Sequence, residues 1–125
     1  IKSFCKGSED WIFFEGSLNQ TQKNNLFSTH MFGISARKNE PFGISVAEMA
    51  KAGCIVFVPD NGGQTEIISD SDIVYKNEDD AVEKITNILN DSNARMRLWD
   101  YCQNQGQKFS VDDFHKNIKK IVSEF

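Results

Sequence analysis

Apolar positions along this chain change their period several times, and the changes divide it into short strands alternating with helices. Trp11-Ile-Phe-Phe14 is an aromatic and β-branched run closed by Gly16, and it reads as a buried strand. Thr21 to Thr29 reads as a helix turning Leu26 and Phe27 inward, and Met31-Phe-Gly-Ile34 as a second strand. Residues 37–43, RKNEPFG, cannot extend that strand. Pro41 has no amide to give a ladder, and Gly43 admits dihedrals closed to other residues. Ile44 to Ala52 returns to helical spacing, with Val46, Ala47, Met49 and Ala50 available for burial and Gly53 as the stop. Cys54-Ile-Val-Phe-Val58 is the clearest strand, a continuous apolar run of the kind that parallel sheets cover on both faces. Asp60-Asn-Gly-Gly63 is a turn, Gln64 to Ile68 a short helix, and Asp72 to Tyr75 a weak fourth strand.

From there the period is helical to the end. Ala81, Val82, Ile85, Ile88 and Leu89 make one amphipathic face, and Ala94 to Gln107 another helix. Ser110 starts a last helix with Asp113 at the capping-box position and Phe114, Ile118, Ile121 and Val122 as its apolar stripe. Strands alternating with helices predict an α/β fold, a Rossmann-like parallel sheet of about four strands with flanking helices. Four short strands make a thin sheet, and residues 1–8 read as the tail of a helix. Both features predict that further strands belong upstream.

Composition narrows the class. The 125 residues suit one domain, and a hydrophobic fraction of 39% with 26% charged residues suits a globular protein. A net charge of −4 and an isoelectric point near 5.1 argue against a nucleic-acid partner. No apolar run approaches the roughly 20 residues of a membrane span, and no helix reads as a basic amphipathic one lying on a bilayer. Cys5, Cys54 and Cys102 form an odd set without a CxxC pair. A disulfide framework or zinc site is not expected, and the thiols read as small buried groups in a reducing, cytoplasmic setting.

Candidate chemistry gathers in residues 40 to 66, EPFGISVAEMAKAGCIVFVPDNGGQTE. In open α/β sheets ligands sit outside the carboxyl ends of the strands, where the 37–43 connection falls. The helix after it would aim free amides and its dipole at an anion such as a diphosphate. Glu40 and Glu48 would repel phosphate but accept hydrogen bonds from hydroxyls on either side of it. An anion between two hydroxyl-bearing groups has the chemistry of a nucleotide sugar. Spacing alone leaves the plain alternative open, two solvated glutamates among the eight of the chain.

The same segment resembles the signature of family-four (group 1) retaining glycosyltransferases of the GT-B fold. That pattern is E-x-F-G, a second glutamate eight residues after the first, A-x-G, an apolar strand, then G-G-x-x-E. WIFFEGSL resembles the family strand leading into the nucleotide-base pocket, and similarity extends from Trp11 to about Phe109. The resemblance implies that residues 1–125 are a partial C-terminal nucleotide-sugar-binding domain. The N-terminal acceptor domain and the first donor-domain strands would lie outside it. It implies Glu40 as the catalytic carboxylate at the donor sugar's hydroxyls. The backbone at Phe42, Gly43 and Ile44 would meet sugar and diphosphate, Glu48 would hold the ribose hydroxyls, and Ser17 and Leu18 would border the base. Gly62 and Gly63 would allow a tight turn, and Glu66 matches a family position.

By the same resemblance the full enzyme is a retaining hexosyltransferase. It would use a nucleotide-diphosphate sugar as donor substrate, no metal and no cofactor, and a carbohydrate or lipid-linked acceptor held by the N-terminal domain. The family's basic pair against the leaving diphosphate is not matched by Arg37 and Lys38, which read as a solvated loop. The chain alone is therefore expected to be inactive. Ser35-Ala36 replaces a frequent Pro-Ser pair, which leaves the loop before Glu40 open. His30 stands where aspartate is frequent and reads as a helix-end residue; His115 reads as surface. A non-catalytic nucleotide-sugar binding module and a nucleotide-sugar epimerase of related fold remain the alternatives.

Overall fold

The computed structural model describes residues 2–8 and 10–125, and among these the side chains of all but Lys2, Val111 and Phe114. A short 3-10 turn at Lys2–Cys5 stands where the tail of a helix is expected. Strands β1 (Phe32–Ile34), β2 (Ile55–Pro59) and β3 (Val74–Tyr75) form one parallel sheet in that order. Helices α1 (Gln20–Ser28), α2 (Ile44–Ala52), α3 (Gln64–Ile67), α4 (Glu78–Leu89), α5 (Ser92–Lys108) and α6 (Val111–Ser123) surround or follow it. The α/β class and the parallel sheet are as expected, but among the described residues the strands are three.

Trp11–Phe14 is the strand that does not form. The segment is irregular, the Trp11 and Ile12 amides make turn bonds to the Ser8 carbonyl, and Trp11, Phe13 and Phe14 are exposed. A strand needs a ladder partner, and among the described residues β1 pairs with β2 alone. Residue preference without that partner leaves an irregular apolar segment.

β2 carries the core. All five of its residues are buried, with α2 and α5 packed on it and on each other. Val46 and Ala50 of α2, Leu98 and Cys102 of α5, and Ile67, Ile68 and Ile73 join it in the apolar cluster, with Cys54, Tyr75, Ala81 and Ile88. Phe32 and Phe57 meet across the β1–β2 pair with centroids 6.4 Å apart. Cys54 and Cys102 are buried as expected, and desolvation pushes the Cys102 thiol up to about 11. α2 and α5 touch at Gly106, where a Cβ would lie 2.5 Å from the Lys51 amide nitrogen.

Caps explain where the helices begin. Asn19 and Gln22 form a reciprocal capping box at α1, and Asn77 and Asp91 cap α4 and α5. Ser110 accepts the Asp113 amide, while the Asp113 carboxylate takes the Ser110 hydroxyl rather than its amide, so only half of the expected box forms. Gly53 ends α2 in the left-handed region at φ 107°, as the sequence predicts. The stripe on α6 is not buried: Ile118, Ile121 and Val122 are exposed, and Phe114 lies outside the described side chains.

Candidate functional site

The site begins where the chain leaves β1. The Ser35 amide still donates to Phe57 across the ladder at 2.9 Å, and Gln64 fixes the path of the chain beyond it. This glutamine is fully buried. Its Oε1 accepts the Ser35 hydroxyl at 2.8 Å, and its Nε2 donates to the carbonyls of Arg37 at 2.9 Å and Asn61 at 3.2 Å. The Tyr75 hydroxyl donates to the Ser35 carbonyl at 2.5 Å; burial, with Glu78 nearby, raises its pKa. Ser35-Ala36 therefore builds an ordered exit from the sheet through polar side chains.

The loop then folds onto the Gly-Gly turn. Asn39 takes φ 55°, outside the usual range for a residue with a side chain, and its amide donates to Asn61 Oδ1 at 3.0 Å. The Gly63 amide donates to the Glu40 carbonyl at 2.7 Å. A Cβ on Gly62 would lie 2.6 Å from that carbonyl oxygen, and one on Gly63 would collide with the Pro41 oxygen. The glycine pair is the floor on which residues 39–42 rest. Gly43 follows at φ 72° as N-cap of α2, with no side chain capping the helix. It is buried, and a Cβ there would press to 3.0 Å from Gln64 Cα and 3.1 Å from Ile67 Cδ1.

These constraints fix the two glutamates. Glu40 has a side chain 20% exposed, with Oε2 3.3 Å from Arg37 Nη1. Glu48, in the second turn of α2, is 23% exposed and receives two donors from α1: Lys23 Nζ at 2.9 Å on Oε2 and Gln20 Nε2 at 3.1 Å on Oε1. Ion pairs this open to water contribute about 0–1 kcal/mol to stability, so their main consequence is geometric. They set the carboxylate plane.

A groove of about 720 Å³ runs along α2. Gln20, Asn24 and Ser28 of α1 form one wall, and Ile44, Ala47, Glu48 and Lys51 of α2 the other, with Phe42, Ile67 and Phe109 at its margins. Phe42 and Ile44 are large, apolar and exposed beside the uncapped helix start. The structure thus brings Phe42, Gly43, Ile44 and Glu48 together. Glu40 sits on the loop side, outside the groove lining. Ser17, exposed, and Leu18, partly buried, precede the Asn19 cap of α1 and do not line the groove. Glu66 is exposed on α3.

Lys23, Gln20, Asn61 and Gln64 are the residues that sequence reasoning misses. Each is an ordinary polar residue whose meaning comes from a tertiary neighbour. Only the Asn61-Gly62 dipeptide carries a local signal, that of a turn. Lys38 pairs loosely with Glu78 at 3.8 Å. The His30 ring Nδ1 lies 2.7 Å from the Leu26 carbonyl at the end of α1, the helix-end position expected of it. Among the described residues no cluster of three His, Cys, Asp or Glu could hold a metal ion, and no helix is long and apolar enough to cross a membrane.

Residues 6–105 match the family described as glycosyl transferases group 1. The GDP-Man:Man(3)GlcNAc(2)-PP-Dol alpha-1,2-mannosyltransferase of Dictyostelium discoideum is similar to this chain, at 26% identity over 117 residues. The match covers 91% of this chain and 23% of that protein, so the chain spans about a quarter of its relative's length. No solved structure matches.

Proposed function

The chain belongs to the group 1 glycosyl transferases, and from that premise we propose that it binds the donor in an enzyme moving a sugar from a nucleotide-diphosphate sugar to an acceptor, with retention at the anomeric carbon. The observation that carries this reading is the wedged loop from Asn39 to Gly43. Held on Gly62 and Gly63, it carries Glu40 and leads directly into an uncapped helix start, with Glu48 one turn further in.

Each group has a chemical task in this reading. The first amides of α2 and its dipole face the diphosphate, and Gly43 lets the backbone approach it. Glu48 accepts the ribose hydroxyls. Glu40 accepts donor-sugar hydroxyls near the reacting carbon, where a fixed negative charge also favours a developing positive one. Phe42 and Ile44 cover the sugar and exclude water, and Ser17 and Leu18 border the base from the loop before α1. Neither a metal nor a further cofactor has a task here. The relative's name sets GDP-Man beside Man(3)GlcNAc(2)-PP-Dol, and a lipid-linked or carbohydrate acceptor is proposed for this enzyme too. The chain by itself would bind donor without transferring sugar at an enzymatic rate, since Arg37 and Lys38 do not match the basic pair expected against the leaving diphosphate.

Thermal unfolding with UDP-, GDP- and ADP-sugars tests this. A donor present at about 100 times its dissociation constant adds roughly 2.7 kcal/mol to stability, and one of the three is expected to do so. No shift with any of them would sink the donor site. Stabilisation without transfer by the full-length enzyme would favour the binding-module reading.

A further inference from the structure

We propose that Lys23 is a positioning residue that, with Gln20, sets the Glu48 carboxylate to receive two adjacent hydroxyls and so makes the groove select ribonucleotides over 2′-deoxyribonucleotides. The inference rests on the ribose role proposed above for Glu48.

A carboxylate offers about four lone-pair sites, two on each oxygen. Lys23 Nζ occupies one on Oε2, and Gln20 Nε2 occupies one on Oε1. One acceptor position then remains on each oxygen, which is the pattern a vicinal diol satisfies with one hydroxyl per oxygen. Both donors come from the same side. Residues 20 and 23 share a face of α1, and α1 is one wall of the groove that Glu48 lines from the other. Without these donors the carboxylate is free to rotate about its terminal torsion, which is broad and roughly two-fold.

The frame behind the donors is itself fixed. The Asn19 side chain accepts the Gln22 amide at 2.9 Å, and the Gln22 side chain accepts the Asn19 amide at 3.0 Å, closing the first turn of α1. Gln20 Nε2 also donates to Asn24 Oδ1 at 3.0 Å, which sets the plane of its amide. The Lys23 side chain is 32% exposed, so the pair is no fully buried structural bridge. A 2′-deoxyribose would leave one oriented acceptor facing the groove without a hydroxyl. That penalty exists only while the carboxylate is held in place.

Calorimetry on the intact protein tests this with UDP, GDP and ADP, each against its 2′-deoxy counterpart. The wild-type protein is expected to prefer the ribonucleotide of its base by about tenfold or more, the worth of a hydrogen bond to a charged group. Lys23→Met should shrink that ratio to within about threefold, and Lys23→Arg, which keeps the charge and the donors, should restore it. Gln20→Ala removes the other donor and should narrow the ratio as well, which keeps the test open if Lys23→Met fails to fold. An unchanged ratio in Lys23→Met or Gln20→Ala would overturn the positioning role while leaving Glu48 on the ribose. A lost ratio that Lys23→Arg does not restore would also overturn it. A wild-type protein that binds none of the three, or binds both sugars equally, would instead refute the ribose role of Glu48, and the inference with it.

Discussion

At the scale of single residues, the site gives its two glutamates different surroundings, and this predicts different losses. Glu48 faces two α1 donors across the groove, whereas Glu40 lies on the loop against Arg37. Glu48→Ala should weaken nucleotide affinity in the full-length enzyme by about tenfold or more, since hydrogen bonds to a charged group are worth about 1.5–3 kcal/mol. Glu40→Gln keeps the shape but removes the charge, and should lower kcat well beyond its effect on nucleotide affinity. Calorimetry and steady-state kinetics on both variants check the pair; the reverse pattern would exchange their roles. That Gly43 opens α2 and Glu48 lies inside it was legible in the sequence, because a glycine before a helical period marks a helix start. Gln64 was not. A glutamine after two glycines has no local mark of burial, and its three bonds join residues up to 29 positions apart.

Elements were legible where their stability is local and illegible where it depends on a partner. β2 could be read from its unbroken apolar run, and α2 from its period and its Gly53 stop. Trp11–Phe14 has strand composition as good as β2, yet composition cannot supply a ladder. Contact between α2 and α5 was also hidden, because it turns on one glycine. A Cβ at Gly106 would stand 2.5 Å from the Lys51 nitrogen and 2.6 Å from its Cα, both backbone atoms that cannot swing away. Helix propensity alone would reward Gly106→Ala by about 1 kcal/mol. Overpacking costs about 1–3 kcal/mol, and here it should win. Urea unfolding is expected to show a net loss of stability for Gly106→Ala. A gain near 1 kcal/mol would mean that the helices have room to part.

Across the whole molecule, burial is concentrated between β2, α2 and α5, while α6 lies outside that core. The apolar stripe of α6 was read from its period, but periodicity tells only that a helix is two-sided, not that another surface meets it. Ile118 is 45%, Ile121 52% and Val122 68% exposed, whereas Leu98 on α5 is wholly buried. Elements with few buried apolar contacts open at low free energy, independently of the core. Two consequences separate the helices. Ile118→Lys with Ile121→Glu should change unfolding free energy by only about 0.5 kcal/mol per site, as for other surface substitutions. Leu98→Ala should cost about 2–5 kcal/mol by emptying a packed site. Native-state hydrogen exchange should agree, with α6 amides exchanging well ahead of those in β2 and α5. Should α6 amides be protected as strongly as those of α5, or the paired substitution on α6 cost as much as Leu98→Ala, the last helix would belong to the cooperative core. Its apolar stripe would then have a partner within this chain.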